Sequence, residues 1–205
     1  KKIIIVESPS KSKTIESYMG DEYKVVASNG HIRDLSTKGK GGLGIDIPAG
    51  FIPRYEVLKE KVSKVSELKK VCQGNEVYLA TDPDREGEAI SWHLASVLGL
   101  DLNTVNRVEF NEITKPAILK AFESPRHIDI DLVSSQETRR MLDRIIGFQL
   151  SSLLQKKIKT KSAGRVQSSV LKLIVDLEKE IQAFIPEAYY QIEAHYNEFK
   201  LSLVD

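Results

Sequence analysis

The chain has 205 residues, of which 41% are hydrophobic and 29% charged; these are proportions of a folded globular protein, and with Cys72 as its single cysteine they exclude both a disordered chain and a disulfide scaffold. No apolar run approaches the roughly 20 residues of a membrane helix, and the four apolar residues after Lys1-Lys2 are too few for a signal peptide, so a reducing cytoplasm is the expected compartment. Thirty basic against 29 acidic residues give a net charge of +1, which selects no partner, and the length accommodates one full domain plus a smaller or incomplete second one.

Residues 3–7 read as a short β-branched strand, and Ser8-Pro9 behind it as a helix N-cap with proline at the first helical position. That helix is expected to end at Gly20, and residues 23–28 resume strand character. Residues 36–50 contain Gly39, Gly41, Gly42, Gly44 and Gly50 with Lys38 and Lys40, the composition of a flexible loop. A helix over about 59–72 closes at Gly74, and a strand over 76–81 and a helix over 86–98 follow. A fourth strand over 107–110 precedes a helix capped by Thr114 that runs to about residue 122. Such alternation predicts an α/β fold, a mostly parallel sheet covered by helices, because parallel strands need long crossover connections.

After Pro125 the pattern turns helical, over residues 131–147 and 165–184. In the second helix Val166, Val170, Leu173, Ile174, Leu177, Ile181 and Phe184 form one apolar stripe, expected to pack in a core. Residues 190–195 and 199–204, with a polar turn at Asn197-Glu198, read as a hairpin that opens a further domain, and lysine at position 1 reads as the mark of excision from a longer chain.

Charge is unevenly spread. Between Ser134 and Val170 lie Arg139, Arg140, Arg144, Lys156, Lys157, Lys159, Lys161 and Arg165 against Glu137 and Asp143, a balance of +6 that leaves −5 for the remainder. A body that holds a cation and a segment that holds a polyanion would produce this pattern, as would a solvated helix face with a lysine-rich loop. The sharpest local signal is Asp82-Pro83-Asp84-Arg85-Glu86, three carboxylates at alternate positions just past a strand. In an open parallel sheet that is where ligands bind, and crowded carboxylates call for a cation such as magnesium, which takes one or two carboxylates, waters and phosphate oxygens. The alternative is ordinary capping, with Asp82 at the turn and Asp84 and Glu86 favoured by the helix dipole. Glu7 ends the first strand in the same way, and the Ser8-Pro9-Ser10-Lys11 turn supplies amides and a lysine suited to a phosphate, or simply caps its helix.

Five segments together carry a resemblance: Ile5-Val6-Glu7-Ser8-Pro9-Ser10-Lys11, Ser28-Asn29-Gly30-His31-Ile32-Arg33-Asp34-Leu35, Ala80-Thr81-Asp82-Pro83-Asp84-Arg85-Glu86-Gly87-Glu88, Phe110-Asn111-Glu112-Ile113-Thr114 and Ser162-Ala163-Gly164-Arg165-Val166-Gln167-Ser168. In this order they resemble the bacterial type IA DNA topoisomerases over essentially the whole chain. The resemblance implies a Rossmann-like toprim domain over residues 1–127, a helical DNA-groove segment over 128–186 and the start of a β domain over 187–205. It implies relaxation of negative supercoils by a tyrosine that attacks a phosphodiester and leaves a 5′-phosphotyrosine. None of the seven tyrosines has the family's Tyr-Pro-Arg-Thr-like context, so they read as core or interface residues, and this chain alone is expected not to cleave DNA.

Carried over by position, the resemblance makes Glu7, Lys11 and Arg85 catalytic and gives magnesium to Glu7, Asp82, Asp84 and Glu86. It gives DNA contacts to His31, Arg139, Arg140, Asp143, Phe148, Gln155, Ser162, Ala163, Gly164, Arg165, Val166 and Gln167. The implied partner is DNA, chiefly single-stranded, bound by a monomer at the bacterial nucleoid. Helical spacing places Arg139 and Asp143 on one face, where a surface ion pair is the plainer reading. A toprim nuclease or primase, or a noncatalytic DNA-binding module, are the competing readings.

Overall fold

The computed structural model describes residues 1–159 and 162–202. The chain divides into two compact units, residues 1–162 and residues from Ala163 onward. In the first, β1 (Lys2–Val6) leads into α1 (Pro9–Tyr18) and β2 (Tyr23–Ala27). Short antiparallel pieces follow: β3 (Arg33–Leu35), β4 (Ile45–Asp46), β5 (Ile52–Pro53) and β6 (Tyr55–Val57), then α2 (Val62–Cys72), β7 (Glu76–Leu79), α3 (Arg85–Leu98), α4 (Lys115–Phe122) and α5 (Ile130–Ile158). The second unit holds α6 (Arg165–Ala183) and the hairpin β8 (Glu193–Tyr196) with β9 (Phe199–Ser202).

The central sheet is parallel, in the order β2-β1-β7, so the first strand of the sequence lies in its middle. Strand side chains alternate between faces, and both faces of β1 are apolar because both are covered. Ile3 and Ile5 join Leu68 of α2 and Ile90 and Leu94 of α3, whereas Ile4 and Val6 join Ile15 of α1 and Ile118 of α4. Val133 of α5 is buried in the first of these clusters. The predicted α/β fold, with a mostly helical region behind it, is what forms.

Several local expectations change. The strand expected over residues 107–110 is reduced to single bridges from Arg107 to Leu79 and to Arg126. The Val108 amide reaches the Leu79 carbonyl (2.9 Å), and beyond it the Arg107 guanidinium takes the carbonyls of Thr81 and Val108 that a longer ladder would have used. Helix α1 ends before Gly20, because Met19 leaves it in an extended conformation and no left-handed residue is needed. Thr114 occupies the N-cap position of α4, but its hydroxyl donates to Glu112 (2.9 Å) rather than accepting from the helix. The glycine-rich loop is partly ordered: β4 pairs with β5, and Gly44, at φ 67°, lies so close to Ser36 that an added Cβ would fall 2.3 Å from its carbonyl oxygen.

Helix α5 runs for 29 residues instead of stopping at Gly147. A single interior glycine costs only about 1 kcal/mol, and the residues beyond it are good helix formers without proline. The apolar stripe of α6 forms at the expected spacing yet stays exposed, with Leu173 at 69% and Phe184 at 71%, because periodicity fixes a face without supplying its cover. Tyr189, Tyr190 and Tyr196 are likewise exposed rather than in a core. The hairpin appears with Asn197 in a left-handed turn, shorter than expected at its start; its expected end at residues 203–204, like Lys161 of the basic segment, lies outside the described residues.

Candidate functional site

Two strands aim their acids at one place. Because β1 and β7 are neighbours in parallel register, with Ile5 opposite Leu79 and the Ala80 amide on the Ile5 carbonyl (2.8 Å), Glu7 and Asp82 leave the same carboxyl edge of the sheet. Ser8 caps α1 by accepting from the Lys11 amide (3.4 Å), with Pro9 at the first helical position, and this turn carries Lys11 across to bond and ion-pair with Asp82.

Glu7 makes no side-chain hydrogen bond among the described residues. Burial, then the charge of Asp82, pushes its carboxyl above the usual carboxylate range; Lys11 and His31 offset part of this and Asp84 adds to it. Electrostatics therefore joins Glu7, Lys11, Asp82 and Asp84 in one site. Asp84 takes the capping role that the sequence reading offers to Asp82: its Oδ1 accepts from the Gly87 amide (2.8 Å) at the start of α3. A Cβ on Gly87 would lie 2.1 Å from the Asp82 carbonyl oxygen, so only glycine lets the helix approach the acidic turn this closely. Arg85, catalytic by resemblance, forms no ion pair among the described residues, whereas Lys11 pairs with Asp82.

Glu86 bonds toward α5. Its carboxylate receives the Gln136 amide (3.1 Å) and lies 3.5 Å from the His31 Nε2. Both residues line a cleft of about 400 Å³ with Arg139, Arg140 and Asp143, so four of the DNA contacts implied by resemblance surround one cavity. Arg139 and Asp143 are 3.9 Å apart on the helix surface. Arg140 donates its Nε to Asp34 (2.8 Å) with a second, shorter bond from Nη2, and Arg144 reaches the same carboxylate at 3.3 Å. Burial alone would raise Asp34, but the bonds from Arg140 and the Leu35 amide and the charges of both arginines hold it below the usual carboxylate range. Phe148 is 44% exposed beneath the Arg144 guanidinium, at 5.2 Å. Gln155 and Ser162 are exposed in the first unit. Ala163 to Gln167 open the second, where Gly164 is the N-cap residue of α6 and Arg165, Val166 and Gln167 are exposed.

The sequence reading misses the groups beneath the site. Glu88 is fully buried and receives Arg107 Nε (2.9 Å), both terminal nitrogens of Arg126 (2.7 and 2.8 Å) and the Asp129 amide (2.6 Å). Burial would raise its carboxyl, but these bonds and charges hold it below the usual range. Its one sequence signal is a carboxylate at the start of an otherwise apolar helix face. Beside the cleft, His93 accepts from Arg33 Nε; burial and then the Arg33 charge lower it to about 3, so it stays neutral.

Among the described residues no three acids or histidines form a ready cluster for a metal. The donor set nevertheless fits magnesium held through one or two carboxylates, since Glu7 has no side-chain hydrogen bond among the described residues and Asp84 uses one oxygen for its cap.

Residues 2–113, more than half of the chain, match the family described as "Toprim domain", and residues 127–204 match the family described as "DNA topoisomerase". The chain is also similar to full-length topoisomerase I from Thermotoga maritima, at 45% identity and a TM-score of 0.82 over 98% of its own length. The chain belongs to the bacterial type IA DNA topoisomerases. It spans 34% of the Thermotoga chain, about a third of that protein. Within this topoisomerase chain, the acidic turn and Glu7 lie inside the toprim match, and Arg139, Arg140 and Asp143 lie inside the second. No helix among the described residues is long and apolar enough to cross a membrane.

Proposed function

We propose that this chain is the magnesium- and DNA-binding part of a topoisomerase that relaxes negatively supercoiled DNA by single-strand transesterification through a 5′-phosphotyrosine. The nucleophilic tyrosine comes from outside these 205 residues, and the chain alone does not cleave. The observation that carries this reading is the meeting of Glu7, Lys11, Asp82 and Asp84 at the adjacent carboxyl ends of β1 and β7.

When the tyrosine oxygen bonds to phosphorus it releases its proton to solvent, the P–O3′ bond breaks, and the departing 3′ oxygen takes up a proton. Glu7, with its raised proton affinity, holds that proton at its carboxylate and recovers it in the reverse step. Lys11 lies in the first turn of α1, beside amides that favour anions, and stabilises charge on the phosphoryl oxygens. Asp82 and Asp84, with Glu7, would hold magnesium, which supplies further charge neutralisation at the phosphate when bound; Glu86 and Arg85 complete the acidic turn. His31, Arg139, Arg140, Asp143 and Phe148 hold the single strand; Gln155 and residues 162–167 are DNA contacts in their own right. The protein acts as a monomer at the nucleoid.

Titration with magnesium tests the metal site: the parent chain binds and Asp82→Ala/Asp84→Ala does not, whereas equal binding removes the reading. Single-stranded oligonucleotide affinity falls as salt rises and falls again in Arg139→Ala/Arg140→Ala; an unchanged affinity removes the groove. Relaxation appears only when the tyrosine-bearing region is supplied, and relaxation by this chain alone would show that the nucleophile is misplaced.

A further inference from the structure

The acidic turn rests on an arginine that faces away from solvent. Arg107 is fully buried, and its guanidinium donates to four main-chain carbonyls: Nη1 to Leu79 (3.3 Å), Thr81 (2.9 Å) and Val108 (2.8 Å), and Nη2 to Asp82 (2.8 Å). Three of these belong to the segment that leaves β7 and becomes the acidic turn. Its Nε goes to the equally buried Glu88, which Arg126 and the Asp129 amide also fix, and Nη2 lies 3.7 Å from the Glu109 carboxylate.

A buried ion pair contributes little net stability compared with an apolar pair of the same volume, so stability alone does not account for this one. What an apolar pair could not do is bind carbonyls. Beyond Leu79 no continuous fourth strand among the described residues pairs with the chain, and the guanidinium replaces that strand's donors with a rigid planar fork. The carbonyl of Asp82 that Nη2 holds is also the atom against which Gly87 packs, so turn and helix share one fixed point.

We propose that Arg107 is a positioning residue: anchored by Glu88, it fixes the main chain from Leu79 to Asp82 so that the Asp82 and Asp84 carboxylates are presented beside Glu7. Its consequence for metal rests on the function proposed above, but the rigidity of the turn is readable without metal.

The test is amide hydrogen exchange and Mn²⁺ affinity, measured on the 205-residue chain well below its melting temperature. Arg107→Lys keeps the charge but cannot span four carbonyls. Exchange of the Gly87 amide and its neighbours in residues 79–87 rises about tenfold while β1 amides keep parent rates, and Mn²⁺ binds about tenfold more weakly, the scale expected when an outer support of a metal site is lost. Arg126→Gln removes one partner of Glu88, leaves the carbonyl bonds of Arg107 intact, and stays near the parent in both measurements. If Arg107→Lys does not fold, Glu88→Gln, which keeps the side-chain shape and removes the counter-charge, shows the same local rise. Parent exchange rates over residues 79–87 in the folded Arg107→Lys chain, or in Glu88→Gln where that variant stands in, overturn the proposal. Asp82→Asn separates the two readings: if it binds Mn²⁺ as the parent does, the metal site fails, while the exchange result still decides the role of Arg107.

Discussion

Glu7 illustrates how a single carboxylate can be disfavoured by its own fold. Buried and set beside Asp82 and Asp84, it holds its proton to higher pH than the ordinary value of 4.5. The folded state therefore binds more protons than the unfolded state between that value and the raised one, and stability falls as pH rises through this window. Glu7→Gln is expected to raise the melting temperature by a few degrees at pH 7 in EDTA and to give no gain at pH 4, read by thermal melts at the two pH values. Asp34 has the opposite sign. Its carboxyl is held low, so its contribution is present above the unfolded value of 3.8 and is lost as pH falls through the lower folded one. Asp34→Asn leaves Arg144, 8% exposed, without its charge partner and is expected to cost about 1–3 kcal/mol at pH 7, below the full penalty for a deeply buried pair because Asp34 is partly solvated. Denaturant unfolding at pH 7 measures it. Both acids stand out in the sequence within charged or glycine-bearing segments. Which arginine Asp34 would meet does not, because Asp34 and Arg140 are brought together only by the fold.

At the scale of elements, two glycines in helices behave oppositely. Gly87 lies against the Asp82 main chain, with no room for a Cβ, whereas Gly147 in α5 has nothing within 4 Å. Gly87→Ala must displace the acidic turn and is expected to cost about 1–3 kcal/mol or more, the range for overpacking a tight contact. Gly147→Ala is expected to stabilise by about 0.5–1 kcal/mol, since it removes only the entropic cost of a helical glycine. Urea unfolding of the two variants beside the parent checks both signs. The same contrast shows what local pattern conveys. The strand-helix alternation and the Ser8-Pro9 cap are legible because they depend on residues a few positions apart. The length of α5 is not, since glycine at 147 looks like a stop until the favourable residues behind it are weighed against its small cost. The strand expected at 107–110 fails for a long-range reason: Arg107 spends its donors on carbonyls far away in sequence.

The two units differ in how they satisfy their apolar surface. In the first, both faces of the sheet are covered and β1 is buried, whereas in the second the stripe of α6 is exposed along its length. Contiguous apolar surface of this kind binds hydrophobic dyes. The chain is expected to enhance anilinonaphthalene sulfonate fluorescence, and Leu173→Glu/Leu177→Glu to lower that enhancement severalfold while the main thermal transition stays in place; fluorescence titration and calorimetry together read the result.

Spacings of a few residues specify the parallel α/β body, the acidic turn at a strand end, the basic segment that follows it and the family to which those motifs belong. Tertiary structure alone decided that Glu7 and Asp82 share one sheet edge, that Glu86 faces His31 and Gln136 instead, and that Glu88 and Arg107 lie beneath the turn. Such pairings join residues up to 75 positions apart, as Glu7 and Asp82 are, and their energies depend on strand order and on exclusion of water, neither of which a local pattern encodes.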